Sequence, residues 1–429
     1  MPKTKLSIIS RDHHQVSRKL ISPSALKVIH RLNSKGYDAF LVGGGVRDIL
    51  LGNQPKDFDI ATSAHPEQIH ALFKNSRLIG RRFKLVHILF GREMIEVATF
   101  RGQAADQHDS PSQHQTEHGM LLRDNVYGSI EEDAIRRDFT INALYYSPQD
   151  FCVYDYVGGL QDIEARQLQM IGDSETRYRE DPVRMLRALR FAAKLNFDIA
   201  PSTYEPIPRL APLLSNIPSA RLCDEVIKLL MSGYAVKVFQ LLVTAQLFEP
   251  LFPQVNQTIA SDERGEFYRN LIQAGLRNTD IRIQSGKPVT PAFLFAVLLW
   301  PEVDRHWRHL RKQGISDFPA MQRAGHIALK NQLTQISIPK RFSLMMKEIW
   351  EFQLRLTKTQ GKRPVQLVQQ PRFRAAYDFL LLREQAGETL NGLGAWWTKF
   401  QVDHPAPETS NRHRRPKASG HGGRRHRQQ

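Results

Sequence analysis

The stretch VGGGVRDILLGNQPKDFDIATS, residues 42–63, sets three consecutive glycines between an apolar run, AFLV at 39–42, and a helix-periodic segment, VRDILLG. Glycine reaches backbone angles that strain other residues, so three in a row fix a sharp turn where a buried strand gives way to a helix. Backbone without Cβ atoms also lets a phosphate come close. The segment is neither of the common phosphate loops. It lacks the GK[ST] of a P-loop, and Asp48 stands where a GxGxxG pattern needs its last glycine. A tight strand-to-helix turn with no ligand would read the same way.

The end of the stretch is sharper. Along a strand, Asp57 and Asp59 project to one side and Phe58 and Ile60 pack on the other. Two adjacent carboxylates repel unless a cation lies between them. Mg2+, which takes hard oxygen ligands and nucleotide phosphates, is the natural occupant, and two such ions serve in-line nucleotidyl transfer. A solvated pair of acids on an edge strand is the alternative.

Around these residues the pattern is mixed. A Ser-capped amphipathic helix is predicted after Ser22, with Ala25, Leu26, Ile29 and Leu32 inward and a stop near Gly36. The strand AFLV, the VRDILLG helix closed by Gly52, a strand through DFDIAT, a helix over HPEQIHALFKN and a hairpin KLVHILF/MIEVATF turning at GRE follow. Gly102 to Met120 is polar text that predicts a mobile loop, and order resumes at Ser129 and Glu132, spaced as a capping box.

Beyond about residue 170, helical periods dominate, in DPVRMLRALRFAAKL, SARLCDEVIKLLMSG and AVKVFQLLVTAQLF. The predicted class is α+β, a small mixed, largely antiparallel sheet followed by an all-helical remainder. The run AFLFAVLLW at 292–300 is too short to span a bilayer and predicts a buried helix.

Charge is unevenly spread. The net charge is +17, and Ser410 to Gln429 holds seven Lys/Arg and no acid, while residues 1–19 hold five against one Asp. Basic tails favour a polyanionic partner through phosphate neutralisation, with simple solubility as the alternative. Cys152 and Cys223 form neither a disulfide framework nor a CxxC site, which suits a reducing cytoplasm. The start is basic without an apolar h-region, so no secretory signal is expected, and no membrane partner. Sixteen histidines include no HExxH, and His108-Asp109 lies in the polar loop, so no hydrolase metal centre is expected.

The glycine turn with its paired acids resembles the signature of the nucleotidyltransferase superfamily that includes DNA polymerase β. EVATFR at 96–101, RRDFTINALYY at 136–146 and EDPVRMLRALRFAAKL at 180–195 are similar to successive motifs of its class II branch, which holds tRNA CCA-adding enzymes and bacterial poly(A) polymerases. The resemblance covers roughly residues 24–245. Gly45, where CCA-adding enzymes more typically carry Ala, the form of SETRYREDPVRMLRALRFAAKL and the basic extension favour the poly(A) polymerases.

The resemblance implies a catalytic polymerase β-like head at 24–170, a helical neck at 171–245 and a helical RNA-binding body at 246–400. A basic arm at 1–23 and a disordered basic tail at 401–429 flank them. It implies two Mg2+ on Asp57 and Asp59, with ATP as substrate and RNA 3′ ends and RNA-decay proteins as partners. Gly43, Gly44, Arg47, Arg137, Arg187 and Arg190 would hold the triphosphate, and Asp181 with Arg184 would read the base.

The residues agree with that reading on their own terms. Arg184, Arg187 and Arg190 recur every three positions and form a slanted row on a helix, although such a row is as often a solvated face. Asp181 one turn before Arg184 would complement the N6 donor and N1 acceptor of adenine. Asn142 sits where it would orient Asp138 or the ribose, or merely face solvent. Asp138 is the favoured third functional acid and Glu96 the reserve. The implied activity is template-independent addition of adenylate to RNA 3′ ends, with CCA addition as the alternative. A non-catalytic basic RNA-binding protein is the competing class, and the motif context of Asp57 and Asp59 argues against it.

Overall fold

The chain enters the fold through a three-residue strand, β1 (Ser7–Ile9), then Ser22 caps helix α1 (Pro23–Asn33) by accepting from the Ser24 and Ala25 N–H groups. In α1 Ala25, Val28, Ile29 and Leu32 are buried, with Leu26 packing at the edge of that core. β2 (Ala39–Val42) runs into α2 (Gly44–Leu50), followed by β3 (Asp59–Thr62), α3 (Pro66–Leu72), β4 (Ser76–Ile79), β5 (Leu85–Phe90) and β6 (Glu93–Thr99). The structure, a computed structural model, describes residues 6–80, 84–102, 113–115, 121–124 and 126–405.

Within the expected loop, β7 (Gln113–Gln115) pairs antiparallel with β8 (Leu121–Asp124), so part of that segment is a strand; the rest of it up to Met120 lies outside the described residues. Helix α4 (Ile130–Arg136) begins with the expected capping box, in which Ser129 and Glu132 each accept from the other's N–H. Then come β9 (Leu144–Tyr146), β10 (Val153–Asp155), α5 (Gly159–Glu164), β11 (Gln167–Leu168), α6 (Ser174–Glu180), α7 (Val183–Leu195) and β12 (Asp198–Ile199).

Eight strands make one sheet in the order β1-β10-β9-β2-β3-β6-β5-β4, antiparallel throughout except for the β3–β6 pair. The expected separate arm at 1–23 is therefore in part an edge strand, because Ser7–Ile9 fills the ladder beside β10. Arg11 and Arg18 of that arm hold their guanidinium groups over the Phe151 ring. Alternation along β3 sends Ile60 into the main core, where Phe58 also packs, and Ala61 toward Val42, Phe100, Ala134 and Tyr145 on the opposite face. Asp59 shares that second face.

After β12 every element of the described residues is helical, to Leu393–Asp403. Pro291–Leu298 is the buried helix expected from AFLFAVLLW, and no helix of the described residues is long and apolar enough to cross a membrane. The core runs unbroken from Val16 to Ala386, joined by a smaller cluster around Phe373 and Trp397. Trp397 is buried and donates to Leu356 O, so it packs helices. Fully buried Asp304 accepts from Arg264, Tyr268 and Arg308 at Oδ2, which offsets part of its desolvation, while Oδ1 has no partner among the described residues. The last helix extends to Asp403, and residues 406–429 lie outside the described part.

Candidate active site

Gly43 caps α2 with φ 71°, in the left-handed region that favours glycine. A Cβ there would lie 3.6 Å from Arg137 Nη1 and 3.9 Å from Asp59 Oδ2, so the turn brings bare backbone against one acid and one base of the site. Gly44 lies 3.5 Å by the same measure from Arg47 Nη2.

Asp59 opens β3 and stands in register with Glu96 on the parallel strand β6. Asp57 falls two residues before the strand and is exposed, so the pair straddles a strand start. Packed surroundings, then the negative charges of Glu96 and Asp57, push the Asp59 carboxyl up to about 6 against the opposing pull of Arg137. Among the described residues no group of three or more His, Cys, Asp or Glu side chains is arranged to hold an ion alone. The donor set fits an ion that draws only part of its shell from protein and the rest from water and phosphate oxygens, as Mg2+ does. His87 Nε2 lies 3.3 Å from Glu96 on the hairpin.

The arginines divide into organisers and free donors. Arg137 bonds Asp133, Tyr145 OH and Asn142 O, and these partners, despite burial, raise its pKa. Arg47 was expected on the triphosphate, but its side chain is buried and occupied: Nη1 donates to Asn142 Oδ1 at 2.6 Å and Nε to Asp48 Oδ1 at 2.8 Å. Its role in this geometry is to brace α2 against Asn142. Asn142 in turn donates to Asp138 Oδ1, which answers the question of what it orients.

The favoured third acid, Asp138, and the reserve, Glu96, sit in different surroundings. Asp138 accepts from Arg187 Nε at 2.7 Å, from Asn142 and from its neighbour's backbone at Phe139, and the Arg187 charge with these bonds outweighs burial to hold its carboxyl at about 2. Its oxygens are taken up by Arg187, Asn142 and the Phe139 N–H, whereas Glu96 stands in register with Asp59. Arg47, Arg187 and Arg190 all lie 5.1–5.3 Å from the Phe191 ring centroid. Arg190 Nε is buried with no hydrogen-bond partner among the described residues.

Asp181 sits in extended backbone between α6 and α7, and Arg184 on the first turn of α7 is held through Nη1 by Arg177 O and Glu180. Arg221, on the helix Ser219–Leu230, pairs with Asp181 Oδ2 at 2.7 Å, while Asp181 Oδ1 is buried and unpartnered among the described residues. Sequence reasoning missed Arg221, since one Arg at a helix start carries no signal.

The glycine turn, the acids Asp57 and Asp59, the in-register glutamate and the arginine cluster, on this sheet, define a polymerase β-like nucleotidyltransferase. Residues 39–169 match the family described as Poly A polymerase head domain, 196–259 the probable RNA and SrmB-binding site of polymerase A, and 313–429 the polymerase A arginine-rich C-terminus. The chain is 50% identical over 93% of its length to Poly(A) polymerase I of Salmonella typhimurium, covering 87% of that protein. It belongs to the poly(A) polymerase I family. A CCA-adding enzyme of Bacillus pumilus is 36% identical over 53% of this chain and 54% of its own. The Bacillus stearothermophilus CCA-adding enzyme, solved with CTP, aligns at TM-score 0.56 and 26% identity over 89% of this chain and 82% of its own.

Proposed function

We infer that this chain is a polynucleotide adenylyltransferase that extends RNA 3′ ends with adenylate from ATP without a template. The observation that supports the chemistry is Asp59 beside the Gly43 turn and in register with Glu96, with Asp57 two residues before the strand. The choice of polyadenylation over CCA addition rests on the family relationship.

Asp57, Asp59 and Glu96 would hold the divalent ions, two Mg2+ in this reading, which when bound lower the pKa of the RNA 3′-hydroxyl and neutralise the departing pyrophosphate. Gly43 and Gly44 let the nucleotide approach the backbone, and Arg187 and Arg190 take up the charge of the triphosphate. Arg137 fixes the wall beside Asp59, and Arg47 and Asp138 hold the cluster in place. Asp181 Oδ1 accepts from adenine N6, and the remaining guanidinium donors of Arg184 reach N1. The 3′-oxygen then bonds to the α-phosphorus as the bond to pyrophosphate breaks, with no protein nucleophile. The proposed division is a catalytic head, a neck and an RNA-binding body. Partners are RNA and RNA-decay proteins, for which the match at 196–259 offers a surface, in the cytoplasm.

The test is a gel extension assay with Mg2+ and each NTP singly, on a generic RNA strand and on a tRNA lacking its terminal CCA. Long ladders with ATP alone on the generic strand are expected. Addition limited to C, C and A on the tRNA would move the chain to CCA addition. No extension would return it to RNA binding without catalysis.

A further inference from the structure

Far along the chain from the site, the helices Trp300–Lys312, Asp317–Leu333, Lys340–Leu356 and Arg363–Val368 border a cleft of about 590 Å3. It shares no residue with the candidate active site. Its walls are chemically unusual for a helical body. Trp307, Phe318 and Leu354 supply flat and aliphatic surface, and Phe318 leaves 37% of its area in solvent. Arg355 lies 5.7 Å from the Phe318 ring centroid.

Arg355, Lys358 and Arg363 are the cations of the lining, and neither Lys358 nor Arg363 has an ion-pair partner among the described residues. Asp317 is the one carboxylate of the lining, and Arg311 neutralises it at 2.5 Å. An apolar helix from a protein partner would strip water from Arg355, Lys358 and Arg363 without acids to meet them, at a cost. A nucleotide meets both halves: its base offers a π face to an aromatic ring, and its linkage offers charge to Lys and Arg.

We propose that this cleft is a second RNA subsite, which takes an unpaired base and flanking phosphates of the strand upstream of its 3′ end. The base stacks on Phe318 and Trp307, Arg355 packs against the same ring, and Lys358 and Arg363 meet the phosphates. The proposal rests on the reading of the substrate as RNA. It makes affinity depend on strand length, because only a strand long enough to reach the cleft gains the added contacts.

The experiment compares the full chain with Phe318→Ala and Arg363→Glu, measuring fluorescence anisotropy with oligoadenylates of about 6 and about 25 nucleotides. Extension of the short primer with ATP is followed in parallel. Either substitution is expected to weaken binding of the long strand about tenfold, as loss of one stack or phosphate contact implies, and to leave short-primer extension unchanged. Lys358→Ala should also reduce the slope of log affinity against log salt by about 0.7. Arg363 is exposed, so its variant keeps the test decisive if Phe318→Ala disturbs packing. Variants that bind the long strand as the parent does, in a chain that extends the short primer, would overturn the subsite and leave the cleft to a protein partner. A parent that extends no RNA would instead overturn the functional reading, and the subsite with it.

Discussion

Asp138→Asn separates the two candidates for the third acid. In the fold the Asp138 carboxylate, 12% exposed, meets Arg187, whose side chain is 33% exposed. A carboxyl held at about 2 rather than at its ordinary 3.8 contributes about 2 kcal/mol of stability at neutral pH, at about 1.4 kcal/mol per pH unit. Because the folded value is the lower one, that contribution is complete above the unfolded value and is lost as pH falls through the folded one. About half is gone by pH 3. Asn keeps the shape and removes the charge, leaving Arg187 partly buried and unpaired.

Urea unfolding followed by circular dichroism should show the variant less stable by about 2 kcal/mol at pH 7, with the gap narrowing toward pH 3. The Mg2+ concentration for half-maximal extension should hardly change. Glu96→Gln should do the reverse, costing little stability and raising the Mg2+ requirement about tenfold or more. An Asp138→Asn protein of unchanged stability that needs far more Mg2+ would refute the assignment of the two acids.

Asp59→Asn should abolish transfer while circular dichroism stays native; measurable extension by that variant would remove Asp59 from the metal site. Because the Asp59 carboxyl is raised to about 6, ion binding must displace a proton below that pH, so the Mg2+ requirement should climb as pH drops from about 7 to 5. Arg221→Ala, which frees Asp181, should lower the preference for ATP over CTP about tenfold with a smaller effect on binding of RNA, checked by single-nucleotide competition. Removing residues 410–429, with their seven Lys/Arg, should weaken long-RNA binding and flatten its salt dependence without altering nucleotide choice.

Local signals made much of this legible. The caps at Ser22 and Ser129, the hairpin and the turn at Gly43 are each written within a few residues, and the structure realises each of them. What depends on distant pairing was not. The strand Ser7–Ile9 is too short to announce itself and exists because β10 offers a free edge. Spacing gives no view of the partner of Arg47, Asn142, which lies 95 residues away. The partner of Asp138, Arg187, lies 49 residues away, beyond what the motif shows. Arg221 meets Asp181 across 40 residues.

The parallel pairing of β3 with β6 has a consequence for how this chain tolerates change. Glu96 faces Asp59 because of ladder register, and the connection between the two strands does not measure that distance. Insertions between α3 and β4, or at the β5–β6 turn, can leave the frame untouched. A single deletion inside β6 before residue 96 shifts every later side chain to the opposite face, and the carboxylate turns from the cleft into the packed side of the sheet. A library of one-residue deletions across 63–96 would thus trace a frame-reading boundary, silent in the connections and lethal to transfer once it enters the strand.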